Sequence, residues 1–503
     1  ACRCFLHIEG IRFRAILICI AGFASISVFI MNRNFPYLSR NKIMMDFLIF
    51  IVFCLLLFIF QAGKSFPYRL FGKRSILFIL LGLNFINLTE NANQIWDVNY
   101  FDSVKIDEYR NFITAISPVI QHIKEKDQEF YRIEKTFQRG LNDAMQFSYN
   151  GLTHYSSTTN RKVLDFLTHM GFAHYHYWTR YGQGSTAAMD SLLGVRYIIT
   201  DQKLIAKNFN PLFSENEYTV YRNPAVLPMG FSVSEQVQNC DFSSETDLFA
   251  AQNRIFQCIT GDHTSNLFTT PHMIEFSQND QNEKIDSASP PTQASVNSAE
   301  SFSEWTIEIE NPDPLYIHIP NAPDVTSVYE VYLDDQFIIR NESVIESGIL
   351  PIGKFTPGET IKLRLKWLGP PYPVKETLFR YENQDILKKY AVSLNQNPAI
   401  LQKKSSSYLK GTFTIPDKNH VLFLSIPFER DWQIFVDQER VDPVEVLGAM
   451  ISFHAEPGSH TLEMVYIPTG LITGSGLSIL SLFVFFFWFF QDTRKQRMKN
   501  LQK

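Results

Sequence analysis

The sequence predicts a polytopic α-helical membrane protein with an extracytoplasmic α/β domain and tandem antiparallel β-sandwich modules. Three observations predict it. Nearly charge-free apolar stretches sit at the two ends of the 503-residue chain, helical and extended patterns alternate between them, and a set of strand motifs repeats near the carboxy terminus. Composition narrows the class further. The 46 basic and 51 acidic side chains leave a net charge of -5, without the polybasic signature of a nucleic-acid binder. The division between apolar ends and an ordinary middle excludes both a simple soluble enzyme and a protein that is mostly membrane.

Residues 1–91 are expected to hold three spans, at 15–31, 43–61 and 75–90, and residues 468–490 a fourth, followed by a basic tail at 491–503. About 20 apolar residues cross roughly 30 Å of hydrocarbon, and runs of that length without charge are rare in soluble cores. Lys64, Arg69, Lys73 and Arg74 follow the second span, and Arg494, Lys495, Arg497 and Lys499 follow the fourth. Basic loops stay cytoplasmic, so residues 92–467 are expected outside and the carboxy terminus inside a multi-pass cell-membrane protein. The connection 32–42, with Arg33, Arg40 and Lys42, runs against that rule. Asp46, within the second expected span, is read as the membrane-embedded acid, either a functional intramembrane group or a side chain reaching headgroup water. The start, ACRCFLHIEGIRFR, lacks an initiator Met and a signal-like order of regions, which suggests a chain beginning inside a longer gene product.

Of six cysteines, only Cys240 and Cys258 fall in the external region. There a disulfide persists if formed, and two separate thiols are the equal alternative. Residues 92–229 read as an α/β domain: a helical pattern from Ile106, a strand at YRIEKTF, a helix at RKVLDFLTHMG, then STAAMDSLLG running into the strand VRYIIT. Ser185 is placed to cap that helix and Gly194 to end it. Residues 230–300 are rich in strand signals and end in a polar linker. Two copies of one motif order follow, at 301–370 and 371–467. LYIHIP, VYEVYLDDQFI and FTPGETIKLRLKWL correspond to VLFLSIP, DWQIFVDQERV and AEPGSHTLEMVYIP, which pairs Asp334 with Asp437 and Pro357-Gly358 with Pro457-Gly458. The order describes two antiparallel sandwiches, with each Asp at a hairpin turn. Trp432 is read as a core or edge aromatic, with a sugar platform as the rival.

Several phrases, in order, resemble the YfhO family of bacterial membrane proteins: GLTHYSSTTNRKVLDFLTHMGF (151–172), GSTAAMDSLLGVRYIIT (184–200) and the stretch from IPFERDWQIFVDQERV through AEPGSHTLEMVYIPTGLITG (426–474). The resemblance implies a GT-C-type glycosyltransferase, which moves sugar from an undecaprenyl-phosphate-linked donor to a surface polymer such as lipoteichoic or wall teichoic acid. The implied partners are therefore the lipid bilayer, the polyprenyl-phosphate-linked sugar and the glycopolymer, with no nucleic acid. Such enzymes carry a key acid in their first external loop. Residues 32–42 contain no Asp or Glu, so the catalytic acid is expected upstream of this chain or is not supplied by it. The alternative is a non-catalytic carbohydrate-binding or scaffolding membrane protein.

Glycosyl transfer needs a carboxylate to take the acceptor's proton and donors to stabilise the departing phosphate. The candidate substrate-binding residues are His154, Tyr155, Ser156 and Ser157, which carry the resemblance, and Trp178, Arg180, Tyr181 and Gln183, which precede a helix start where amides can hold an anion or a sugar hydroxyl. A structural loop is the bland reading for the first group and packing for Trp178 and Tyr181. His169, His174 and His176 cluster without carboxylate or thiolate ligands at a recognised spacing, so no metal is assigned. No Walker loop, dinucleotide fingerprint, HExxH or G-x-S-x-G elbow occurs, and no cofactor is expected.

Overall fold

The computed structural model describes residues 13–33, 40–61, 73–100, 105–175, 178–182, 184–202, 207–279, 301–319, 329–341, 348–368 and 377–501. The chain divides into two units, 1–112 and 113–503. The first holds the helices Phe13–Arg33, Arg40–Gln61 and Lys73–Tyr100. The first two pack through Phe23, whose ring lies 4.4 Å from that of Phe50.

Among the described residues one helical stretch, Leu471–Gln491, is long and apolar enough to cross a membrane, and none of it is buried. The expected spans at 15–31 and 43–61 reduce to the shorter apolar stretches Leu17–Met31 and Ile43–Leu56. The stretch expected at 75–90 lies in a helix that runs on through the polar residues TENANQ to Tyr100. Among the described residues, length and apolarity thus support one span where four were expected, in a chain whose other elements include several antiparallel sheets.

In the second unit a four-stranded sheet has the order Arg132–Lys135, Val195–Thr200, Tyr218–Arg222, Asn210–Glu215. Its first pair is parallel and the others antiparallel. Ile116, Val119, Ile120 and Ile123 are buried on one face of the helix Ile106–Lys126, whose His122 ring stacks on Phe213 of the edge strand. Thr186, not Ser185, caps the helix Ala187–Leu192 by accepting the Met189 N–H, because the Ser185 hydroxyl is drawn to the Met170 carbonyl. Gly194, at φ 65°, closes this helix in the left-handed region that glycine enters without strain.

Two sandwiches share the strand order of their five-stranded sheets and differ in how their four-stranded sheets are completed. In the first, the sheet His272–Asn279, Phe302–Glu308, Thr360–Trp367, Tyr329–Leu333, Gln336–Asn341 faces the sheet Leu350–Gly353, Leu315–His318, Leu378–Glu382, Phe268–Thr269. In the second, Ile400–Ser405, Tyr408–Ile415, Gly458–Tyr466, Trp432–Val436, Glu439–Val441 faces Val444–Val446, Met450–Phe453, His420–Pro427, Gly230–Ser234. The repeat is visible atom by atom at the hairpins. Asp334 and Asp335 have φ 46° and 64°, and Asp437 and Gln438 have φ 50° and 73°. Asp334 Oδ1 accepts the Lys362 N–H at 2.9 Å and Asp437 Oδ1 the Thr461 N–H at 2.8 Å. This is the turn role that Asp fills well.

The strand Gly230–Ser234 precedes the first sandwich in the chain but completes the second, pairing with His420–Pro427. Its other face joins a large core with residues from Phe166 to Met450, including the helices Leu248–Thr260 and Gln384–Leu394. The sheet is covered on both faces, which accounts for the unbroken apolar run VLFLSI at 421–426 in place of alternation. Cys240 and Cys258 form a disulfide with Cα atoms 5.9 Å apart, fastening the segment after Gly230–Ser234 to the helix Leu248–Thr260.

Candidate functional site

A cleft of about 390 Å³ opens between the α/β sheet and the second sandwich; its lining includes Tyr149, Asn150, His154, Lys403 and Trp432. Its α/β wall is set by a buried carboxylate. Glu134 accepts the N–H groups of Leu152 and Thr153 and the Thr153 hydroxyl, fixing the segment that leads to His154. Burial raises its pKa, and these donors and Lys135 oppose the rise. Asn142 brackets Tyr155, accepting its N–H at 3.0 Å and donating to its carbonyl at 3.2 Å. His154 donates its N–H to Thr179 Oγ1 at 3.2 Å, and burial lowers its pKa, which favours a neutral imidazole.

The sandwich wall is tied to the same sheet through Arg132. This buried guanidinium donates to Ser425 Oγ at 3.0 Å, to the Ser425 carbonyl at 2.7 Å and to the Leu193 carbonyl. Desolvation lowers its pKa to about 10, opposed by Glu134. Lys403 donates to Asn150 Oδ1 at 2.6 Å, and its pKa is lowered first by burial and then by the charge of Arg132. Trp432 is half-buried, its ring edge-on to Tyr466 at 5.1 Å. The neighbouring Asp431 accepts the Thr469 N–H at 3.0 Å and the Ile467 N–H at 3.0 Å, immediately before the apolar helix Leu471–Leu501. The cleft therefore adjoins the root of the span.

The sequence-predicted residues separate. His154 lines the cleft, while Tyr155 and Trp178 pair across a small sheet with rings 5.8 Å apart. Ser156 organises a local turn, bonding Thr158 through its hydroxyl and Thr159 through its carbonyl; Ser157 is exposed. Arg180 is half-buried after the strand Trp178–Thr179. Tyr181 is buried away from the cleft, donating to Asp190 at 2.9 Å and accepting from Lys207 at 3.0 Å. The helix-start amides of that region serve the protein itself: the Ala188 N–H donates to Glu382 at 2.8 Å and the Ala187 N–H to the Tyr316 hydroxyl at 3.2 Å. Asp46 is half-buried in the helix Arg40–Gln61.

Gln183 and His176 lie outside the described residues, as does the side chain of His174. His169 Nδ1 lies 2.8 Å from the Asp165 carbonyl. Among the described residues no group of three His, Cys, Asp or Glu side chains is arranged to hold a metal. Asn142, Asn150 and Lys403 were not singled out by the sequence, since single amides and a lysine carry no motif.

The fold and cleft define a β-rich, membrane-anchored protein whose sandwiches run directly into an apolar span. The chain belongs to the YfhO family, described as bacterial membrane protein YfhO, whose profile matches residues 5–478. A relative, the uncharacterized protein YfhO of Bacillus subtilis (strain 168), is 21% identical over 413 residues, covering 76% of this chain and 45% of that protein. The chain thus spans about half the length of that relative. Two solved structures show faint likeness. A glycosyl hydrolase family 2 member from Bacteroides cellulosilyticus DSM 14838 has TM-score 0.15 and 8% identity, covering 34% of this chain and 24% of its own. A GH2 beta-galacturonidase from Eisenbergiella tayi bound to glycerol has TM-score 0.15 and 10% identity, covering 41% of this chain and 38% of its own. Neither supports an argument about function.

Proposed function

We propose that this chain takes part in glycosylating a cell-surface polymer, lipoteichoic or wall teichoic acid, from an undecaprenyl-phosphate-linked sugar. In this reading the protein is multi-pass, residues 92–467 lie outside the cytoplasm and the basic tail lies inside. The cleft holds a sugar beside the membrane, with Trp432 as its platform and His154, Asn142, Asn150 and Lys403 as hydrogen-bonding groups. The observation that carries the reading is the junction of cleft and span: Trp432 and Tyr466 are cross-strand partners, and the apolar helix starts at Leu471. Trp and Tyr suit the membrane–water boundary, where a lipid-linked sugar presents its head.

No Asp or Glu lines the cleft among the described residues. A transferase needs a carboxylate, so the proton acceptor would come from elsewhere in the complete protein. The same observation favours the second reading, a non-catalytic protein that holds carbohydrate. Sugar analysis of purified lipoteichoic and wall teichoic acids, from cells with and without the complete gene, separates the two. Loss of one glycosyl substituent, restored by the complete gene and reduced when it carries Trp432→Ala, supports glycosyl transfer. Unchanged polymers in the deletion strain leave the holding role.

A further inference from the structure

The repeat lets one sandwich serve as a control for the other. On the outer face of the first sandwich, Arg364 donates to Glu304 at 2.9 Å and to Asp335 at 2.8 Å, and its guanidinium lies 5.3 Å from the Phe302 ring centre. These four side chains close the face. The register of the hairpins and strands maps them onto Glu463, Lys410, Gln438 and Tyr408 of the second sandwich. There the charges are exchanged and the closure is absent: Tyr408 bonds Glu463, while the side chains of Lys410, Gln438 and the neighbouring Gln402 make no hydrogen bond or ion pair among the described residues. A groove of about 480 Å³ lies over these residues, with Thr412, Thr461 and Phe435 also in its lining. Gly411, where the first sandwich has Trp305, admits the close approach of the edge-strand carbonyl of Ile400.

We infer that this groove is a second saccharide site, separate from the cleft, that takes an uncharged sugar chain. One ammonium and one carboxylate give the lining no net charge, its amides and hydroxyls match sugar hydroxyls, and Tyr408 and Phe435 offer apolar surface to the ring C–H groups. The inference rests on reading this protein as one that handles saccharides.

The test is saturation-transfer NMR on the full chain in detergent, with chitohexaose and maltohexaose as probes. Transfer to at least one hexasaccharide is expected, and it survives Trp432→Ala in the cleft. Transfer drops at least tenfold in the triple variant Lys410→Glu, Gln438→Asp, Glu463→Arg, which installs the closed face of the first sandwich. The single variant Tyr408→Ala gives the same direction if the triple variant melts early. No transfer in the unaltered chain, transfer undiminished by the groove variants, or loss with Trp432→Ala alone would each overturn the inference. So would polyglycerol phosphate fragments displacing the probes better than neutral sugars do. Polymers unchanged by gene deletion, with groove binding intact, would remove glycosylation and leave this site standing.

Discussion

Glu382 is a fully buried carboxyl held by the Ala188 N–H, the Tyr316 hydroxyl at 3.3 Å and the Gln384 amide at 3.0 Å. Desolvation is the dominant influence on it, pushing its pKa from 4.5 up to about 7 against these donors and Lys207. A raised folded-state pKa means that the fold binds the proton more tightly than the unfolded chain. The stability it contributes is complete below about 4.5 and is lost as pH rises toward 7, on the order of 3 kcal/mol at the upper bound. Glu382→Gln keeps an acceptor for Ala188 and removes the titration. Its melting temperature, followed from pH 5 to 7.5 in one detergent, is expected to fall less than that of the unaltered protein. Equal slopes for the two would show that Glu382 does not titrate in this range. Nothing in the local sequence RYENQ signals this role, because the residues that bury Glu382 include Ala188 and Tyr316, far away along the chain.

At the scale of elements, the repeated hairpins were legible because their determinants are local: an Asp able to enter the left-handed region and accept a backbone N–H, and a Pro-Gly pair before the last strand. Asp437→Ala removes the acceptor for Thr461 and strains a turn at φ 50°, so the melting temperature should fall by about 2–4 °C per kcal/mol lost. Asp437→Asn, which tolerates the same backbone and keeps an acceptor oxygen, should recover most of that fall. Equal losses for Ala and Asn would mean that the Asp437–His460 pair at 2.7 Å, rather than the turn, is what matters. The partner strands were not legible. Gly230–Ser234 carries strand character but no label saying that it pairs with His420–Pro427 rather than with a neighbour. The cleft was half-legible for the same reason: His154 and Trp432 were visible as residue types, while their meeting depends on contacts such as that of Arg132 with Ser425, 293 residues apart.

The displaced strand Gly230–Ser234 governs the second unit as a whole. Gly230–Ser234 lies before the first sandwich and completes the second; Leu378–Glu382 is the last strand of the first and leads into the helix Gln384–Leu394, which packs in the core shared with Gly230–Ser234. The first sandwich is one contiguous segment, 268–382, but it lies between the strand Gly230–Ser234 and the rest of the second sandwich and is tied to that strand through the shared core, so the two should unfold together. Phe231 tests this, being fully buried with its ring 5.3 Å from Phe423 and lying outside the inner core of the first sandwich. Phe231→Ala is expected to cost about 3–5 kcal/mol by opening a cavity. Hydrogen exchange of the full chain reads out where that loss is felt. If the sandwiches are one cooperative unit, protection falls by a similar factor in His420–Pro427 and in Leu315–His318, although the latter strand does not pair with Gly230–Ser234. Loss confined to His420–Pro427 would show two independent modules. The groove and the cleft share the strands Ile400–Ser405 and Tyr408–Ile415, so an occupant of either stabilises the second sandwich, and only a single cooperative unit carries that gain to Leu315–His318.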